Sequence, residues 1–434
     1  MNRNNCLLAA ALIMLLPACN AVDDVRERLR GATPREDYMQ ALASAGLLET
    51  ALARDWVAAA EAALRQPLSA EVPVEETGYL DAAEPHAVAL RLRLQRGQRV
   101  AVRADLLPAA DALLFLDVLR IDSASASPPR HVISADSGGR SLEFEPSRTA
   151  DYIVRLQPEL LRGGRYTLTI RSGPALAFPV HGVGARAIGS RFGAPRDGGA
   201  RDHHGIDIFA PRGTPVLAAA AGYVNGVRET QRGGRVVWLR DERRSMSLYY
   251  AHLDTQLVAN GTAVSVGDTL GTVGNTGNAR GTPPHLHFGV YRRGEGPIDP
   301  FPFVYTLPRA LPPLRADTAL LGDWARLESA TAGERRLGAG TPVRIRAAAD
   351  ERFRAELPDG TELWVAARVV ESVNEPIALV RAAARCAIRD RPVPNSAVIT
   401  EVAQPTQLEV LGRFGAFRLV RADSIRGWTD CVRD

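Results

Sequence analysis

The sequence predicts a mainly β, multidomain protein. An antiparallel β-sheet core follows an N-terminal helical segment and a β-sandwich, and two small C-terminal barrels follow the core. Three observations carry this. The chain has 434 residues, beyond the roughly 100–200 of a single domain. Short apolar runs with a period of two recur from residue 72 onward, separated by turn residues, as in sandwiches and barrels. Glycine and proline, 38 and 29 of them, supply those turns.

From Glu36 to Gln66 the period is helical instead, with Leu42, Leu47, Leu48, Leu52, Trp56, Val57, Ala60 and Leu64 recurring at helix spacing. Gly46 divides the stretch into two helices, and Pro67 closes the segment spanning 36–67. Residues 72–173 then alternate: Leu90-Arg91-Leu92-Arg93-Leu94, Val100-Ala101-Val102, Leu113 to Val118, Tyr152-Ile153-Val154 and Tyr166-Thr167-Leu168-Thr169-Ile170. The closing Gly163-Gly164-Arg165-Tyr166 hairpin resembles that of accessory sandwich domains flanking secreted bacterial peptidases. His86 and His131 stand alone there, which points to packing or interaction instead of chemistry.

A Pro-rich connector, 307–313, precedes a weak internal repeat. Thr341-Pro342-Val343-Arg344-Ile345, Phe353-Arg354-Ala355-Glu356-Leu357 and Trp364-Val365 form one unit (321–374). Thr406-Gln407-Leu408-Glu409-Val410, Phe417-Arg418-Leu419-Val420 and Gly427-Trp428 form the other (378–434). Both resemble the bacterial SH3-like modules of cell-wall proteins, which implies either wall binding or bracing of the neighbouring domain.

The first residues concern destination. Arg3 is followed by an apolar run, Cys6 to Leu16, too short to span a bilayer, and then by Leu16-Pro17-Ala18-Cys19. This resembles a bacterial lipoprotein signal peptide (1–18), with Cys19 as the lipidated residue and 19–35 as a tether. Asn20, where Asp would signal retention at the inner membrane, implies an exported, periplasm-facing lipoprotein of the outer membrane. Cys386 and Cys431 remain, and in an oxidising compartment they form a disulfide. All 53 basic residues are Arg, yet the net charge is +4 and no cluster is dense enough for nucleic acid.

The chemistry lies in 178–306. His203 and Asp207 are spaced i, i+4, and His285-Leu286-His287 follows some eighty residues later. Gly205 argues against a helix between the first pair. In an extended segment residues four apart share a face, while His204 points away. Leu286, Phe288 and Val290 alternate with His285, His287 and Gly289, so the two imidazoles of the H-x-H pair also share a face. His203, Asp207 and one arm of that pair make a tetrahedral zinc set with an open fourth position, the arrangement of a catalytic site. His252 ends the Tyr249-Tyr250-Ala251-His252-Leu253 strand, paired with Val236 to Leu239. Tyr250, two residues before His252, either lines the cleft or packs in the core.

Phe192-Gly193, His203-x-Gly-Ile-Asp207, Gly213-Thr214-Pro215-Val216, Tyr250-Ala251-His252-Leu253, Gly274-Asn275-Thr276-Gly277 and Pro284-His285-Leu286-His287-Phe288 together resemble the lysostaphin/LytM-type zinc metallopeptidases. Those enzymes cut the peptide part of bacterial peptidoglycan. The resemblance spans residues 180 to 303. It implies that His203, Asp207 and His287 hold Zn2+, and that His285 and His252 are the catalytic pair, His285 as base and His252 at the developing oxyanion. The substrate would be peptidoglycan stem peptides, with a membrane partner through lipid on Cys19. The alternative is a non-catalytic wall-binding adaptor or hydrolase activator. The 278–282 loop is longer than the commonest one in that family and borders the cleft.

Overall fold

The computed structural model describes residues 31–108, 112–122, 128–136, 138–307, 309–328, 330–332, 335–382 and 384–432. The expected signal peptide, Cys19 and tether residues 19–30 lie outside the described residues. Among the described residues no helix is long and apolar enough to cross a membrane.

Two helices open the described chain, Pro34–Ser44 and Ala51–Arg65. A capping box starts the first: Thr33 Oγ1 accepts from the Glu36 amide, and the Glu36 carboxylate accepts from the Thr33 amide. Gly46, at φ +71°, ends it, with its own amide on Ala43 O and that of Leu47 on Leu42 O. The second helix buries Ala53, Trp56 and Ala60. The Trp56 indole lies edge-on to Phe115 and donates to Pro158 O at 2.8 Å, which seats the helical segment on the next domain.

That domain is a two-layer sandwich. One sheet orders Leu68–Ala70, Val88–Leu94, Ala150–Pro158, Leu114–Ile121 and Arg130–Ser134. The other contains Val74–Leu80, Gly164–Pro174, Gln98–Leu107 and Ser141–Phe144. Leu90, Leu92 and Val154 of the first layer share a core with Val100, Val102, Leu168 and Ile170 of the second. Burying each such side chain stabilises by roughly 1.5–3 kcal/mol.

The second layer does not stop at the sandwich. Pro342–Ala349 pairs with Val74–Leu80 through Thr77↔Ala348 and Gly78↔Ala347, and Arg352–Glu356 and Glu362–Ala366 continue outward into a nine-stranded sheet. The expected free-standing barrel at 321–374 is therefore corrected: this unit is fused edge to edge with the sandwich. An exposed strand edge offers unpaired amides and carbonyls to any other strand, and alternation within a strand does not say which one pairs with it. The second unit is a separate six-stranded sheet, ordered Ala378–Arg381, Gln407–Phe414, Phe417–Ala422, Ile425–Thr429, Cys386–Arg389 and Val398–Val402. Among the described residues the two outer strands of this order are not paired with each other. Cys386 and Cys431 form a disulfide with a Cα–Cα distance of 5.8 Å. It ties the start of this unit's second strand to the residues after its last strand.

The remaining body is a ten-stranded antiparallel sheet whose main path runs Ile188–Ser190, Ile206–Phe209, His285–Arg292, Met246–Gln256, Gly234–Asp241, Gly222–Thr230 and Ala263–Val264. Alternation gives it two unlike faces. Ile206, Ile208, Val237, Leu239, Leu248, Leu286, Phe288 and Val290 point into its core, together with Val216, Leu270 and Val273 of a flanking antiparallel strand pair. Asp207, His287, Tyr249 and Trp238 belong to the other face. Arg244 fastens the sheet to the sandwich through Glu145 at 2.8 Å and Ala175 O at 2.9 Å.

Candidate metal centre

Ile206–Phe209 and His285–Arg292 run antiparallel in the register Asp207↔His287 and Phe209↔His285. Directly opposed residues share a face, so the carboxylate and the second imidazole of the H-x-H pair meet. His203 lies in the bend before Ile206 and reaches the same point because the chain folds closely over the neighbouring strand at Gly205. A Cβ at Gly205 would stand 2.5 Å from Phe288 O and 2.7 Å from His287 Nε2, so a side chain there would displace both.

Three atoms converge. His203 Nε2 lies 2.9 Å from His287 Nδ1, and each lies 3.0 Å from Asp207 Oδ1. His203 Nδ1 is 2.8 Å from Arg191 O; a carbonyl only accepts, so this nitrogen carries the proton and Nε2 presents its lone pair. Burial alone would raise the Asp207 carboxyl, but its contacts with His203 and His287 outweigh burial and hold it well below the usual carboxylate range. Asp207 is thus a carboxylate, and Arg196 binds its other oxygen, Oδ2, at 2.5 Å. Burial, opposed by Asp207 and reinforced by His203 and His285, pushes the His287 imidazole down. Lone pairs and negative charge aimed at one point repel unless a cation sits among them. Two imidazole nitrogens and one carboxylate oxygen are the donor types a zinc site uses, and the outward proton of His203 on a carbonyl is the second-layer hydrogen bond that fixes such a ligand.

Two more imidazoles face this point. His285 Nε2 is 4.0 Å from Asp207 Oδ1, and its Nδ1 donates to Pro283 O at 2.9 Å. The His252 ring lies 5.1 Å from that of His285 and 5.9 Å from that of His287, and its Nδ1 donates to Thr276 O at 2.9 Å. Both therefore present a bare Nε2 in the neutral form. Burial, reinforced by His287 and His285, lowers His252 to about 4.

Strict alternation would turn His252 toward the core with Tyr250. A β-bulge prevents it: Arg235 pairs with Leu253 and Val237 with Tyr250, so Ala251 and His252 together oppose Val236, and His252 takes φ +62°. Tyr250 itself is fully buried, and its hydroxyl accepts from the Ala219 amide at 2.9 Å. Of the two placements open to it, the core is the one it takes. Tyr249 is the tyrosine on the site face, its ring 5.9 Å from His287. His204 is exposed and stacks on Phe192, pointing away as expected. Sequence reasoning missed Arg196, Ser190 (3.3 Å from His203 Nδ1) and the three carbonyl partners; a carbonyl carries no side-chain signature, and Arg196 is one arginine among many.

Residues 201–300 match Peptidase family M23. The chain carries an M23 peptidase domain. It is 39% identical over 94 residues to the peptidoglycan DD-endopeptidase ShyC of Vibrio cholerae, covering 22% of this chain and 21% of that protein. It is 36% identical over 115 residues to the L-Ala–D-Glu endopeptidase of Bacillus subtilis, covering 24% and 35% respectively. The chain thus spans about a fifth and a third of the length of these relatives. Among solved structures, the catalytic domain of lysostaphin from Staphylococcus simulans aligns at 31% identity over 26% of this chain and 89% of that one, with a TM-score of 0.25.

Proposed function

We propose that the M23 domain is a zinc endopeptidase that cuts peptide cross-links of peptidoglycan. The observation carrying this reading is the convergence of His203 Nε2, His287 Nδ1 and Asp207 Oδ1 within 2.9–3.0 Å, with two further imidazoles facing the same point. His203, Asp207 and His287 would hold the ion. A bound zinc would supply Lewis acidity, polarising a carbonyl and bringing the pKa of water from 15.7 to about 7.

The other roles belong to the chain itself. His285, its Nδ1 proton held by Pro283 O, offers Nε2 as the base that removes a proton from water and returns it to the leaving amine, worth about 10²–10⁴-fold. His252, its Nδ1 proton held by Thr276 O, faces the same point with Nε2 and would position water or a protonated group of the substrate there by accepting a hydrogen bond. Thr276 and Pro283 position these rings through carbonyls, and Arg196 steadies Asp207. The relatives named above cleave different bonds of the wall peptide by their names, so the bond cut here is open to experiment.

Export and attachment through Cys19, with an outer-membrane location, complete the proposal on the sequence pattern alone. The C-terminal units are proposed as wall-binding or bracing elements. The test is a zymogram on purified sacculi, with and without chelator. An endopeptidase clears only the lane without chelator; a non-catalytic adaptor clears neither. Mass spectrometry of the released fragments then assigns the bond.

A further inference from the structure

Beyond the metal centre, the same sheet face carries three aromatic rings. His287, Gly289 and Tyr291 follow one another on this face of their strand, Gly289 pairs with Tyr249, and Tyr249 pairs with Trp238. The Trp238 ring centroid lies 4.5 Å from that of Tyr249 and 5.0 Å from that of Tyr291, and Tyr249 meets Tyr291 edge-on at 6.2 Å. The step from His287 to Gly289 is about 6.5–7 Å along the strand, the length of two substrate residues in an extended chain. All three aromatics are half-buried, so each keeps surface in contact with solvent while most of the ring is fixed by packing.

The edge of this shelf is positively charged. Arg228 opposes Val236, two residues beyond the Gly226↔Trp238 pair, and so projects from the same face. Arg232 lies in the turn that Gly233 continues, where a Cβ at Gly233 would stand 2.2 Å from the Tyr249 hydroxyl oxygen. Both arginines are exposed. Among the described residues their guanidiniums make no ion pair, unlike Arg212, which is taken up by Asp254 at 2.5 Å. Burial and the neighbouring Tyr291 raise the Tyr249 hydroxyl, while Arg228 and Arg232 pull it back, in keeping with two cations close to the ring. An apolar platform beside two guanidiniums without an ion pair fits a ligand with an aliphatic stem and a carboxylate, which gains a charge-assisted hydrogen bond that an uncharged or cationic residue does not make.

We propose that Trp238, Tyr249 and Tyr291, with Arg228 and Arg232, form a specificity subsite for a carboxylate-bearing residue of the substrate peptide, two residues away from the scissile bond. This rests on the endopeptidase reading for the word substrate, but the subsite is testable by binding alone. The probes are N-acetyl-L-Ala-γ-D-Glu-L-Lys-D-Ala and the same peptide with the α-carboxyl of D-Glu amidated, titrated calorimetrically against the metal-free full chain. The wild type should bind the free acid about 10-fold more tightly than the amide, the scale of one charge-assisted contact. In Arg228→Gln/Arg232→Gln the ratio should fall to about one, whereas Trp238→Ala should weaken both peptides and keep the ratio. Equal binding of the two peptides by the wild type, or an undiminished ratio in the double arginine variant, would overturn the subsite. Selective binding without any clearing of sacculi would instead leave the subsite standing and remove the endopeptidase.

Discussion

Two buried charged clusters in this chain are built from similar parts to opposite ends. In the candidate metal centre, Asp207 shares its Oδ1 with two imidazole nitrogens and its Oδ2 with Arg196. At the seam between the sandwich and the first C-terminal unit, Arg354 lies 2.8 Å from both Glu76 Oε2 and Glu362 Oε2, Tyr166 donates to Glu76, and His86 Nε2 stands 3.0 Å from Glu362. Arg354 and Glu76 are 1% and 0% exposed. Here a fixed guanidinium supplies the cation. Burial alone would raise the Glu362 carboxyl, but Arg354 and His86 hold it far below its ordinary range. The contrast separates architecture from chemistry: at the seam guanidinium and imidazole partners take up the Glu76 and Glu362 carboxylates, whereas Asp207 gives one oxygen to Arg196 and turns the other toward two imidazole nitrogens.

The largest effects expected from this contrast are catalytic. His287→Ala should lose zinc and hydrolysis together, whereas His285→Ala should keep zinc and lose hydrolysis by about 10²–10⁴-fold, measured by metal content and turnover on sacculi. Normal turnover by His285→Ala would undo its assignment as base. In the other cluster, Arg354→Met leaves Glu76 buried without its partner. It should cost about 3–5 kcal/mol of stability, seen in urea unfolding, with zinc content per folded molecule unchanged. Glu76→Met/Arg354→Met together should recover most of that loss.

Acid sharpens the comparison further. His252 sits at about 4, below the ordinary histidine value near 6.5. Between these values the unfolded chain binds more protons than the native one, so native stability rises with pH across that window. The penalty is absent above about 6.5, grows as pH falls and is complete below about 4. It amounts to roughly 3 kcal/mol at most. Urea midpoints of the metal-free protein should drop over this range, and His252→Ala should flatten the drop. The smallest effect belongs to an exposed pair: Arg212→Ala, which removes the contact to Asp254, should change stability by only about 0–1 kcal/mol.

The sequence made the strands of the M23 sheet legible and put four residues of the candidate site, His203, Asp207, His285 and His287, on shared faces, because H-x-H alternation and the His203–Asp207 spacing are local patterns. It left Tyr250 open between cleft and core, and His252 reaches the site only through a bulge, which depends on pairing two strands with unequal residue counts. The fusion of Pro342–Ala349 to Val74–Leu80 was equally hidden. Edge pairing is made by backbone groups every strand possesses, and the buried Glu76–Arg354 pair that accompanies it joins residues 278 apart in sequence. The helix pair, by contrast, was readable down to the break at Gly46, since capping and left-handed termination are written in adjacent residues.

The central claim is that three side chains from two strands and a bend hold one catalytic ion. The most direct measurement is zinc bound per chain, after equilibrium dialysis, in the wild type and in His203→Ala, Asp207→Ala, His287→Ala, His252→Ala and His285→Ala. One equivalent in the wild type, lost in the first three variants and retained in the last two, is the predicted result. Zinc retained by Asp207→Ala, or a folded wild type that takes up none, would contradict it.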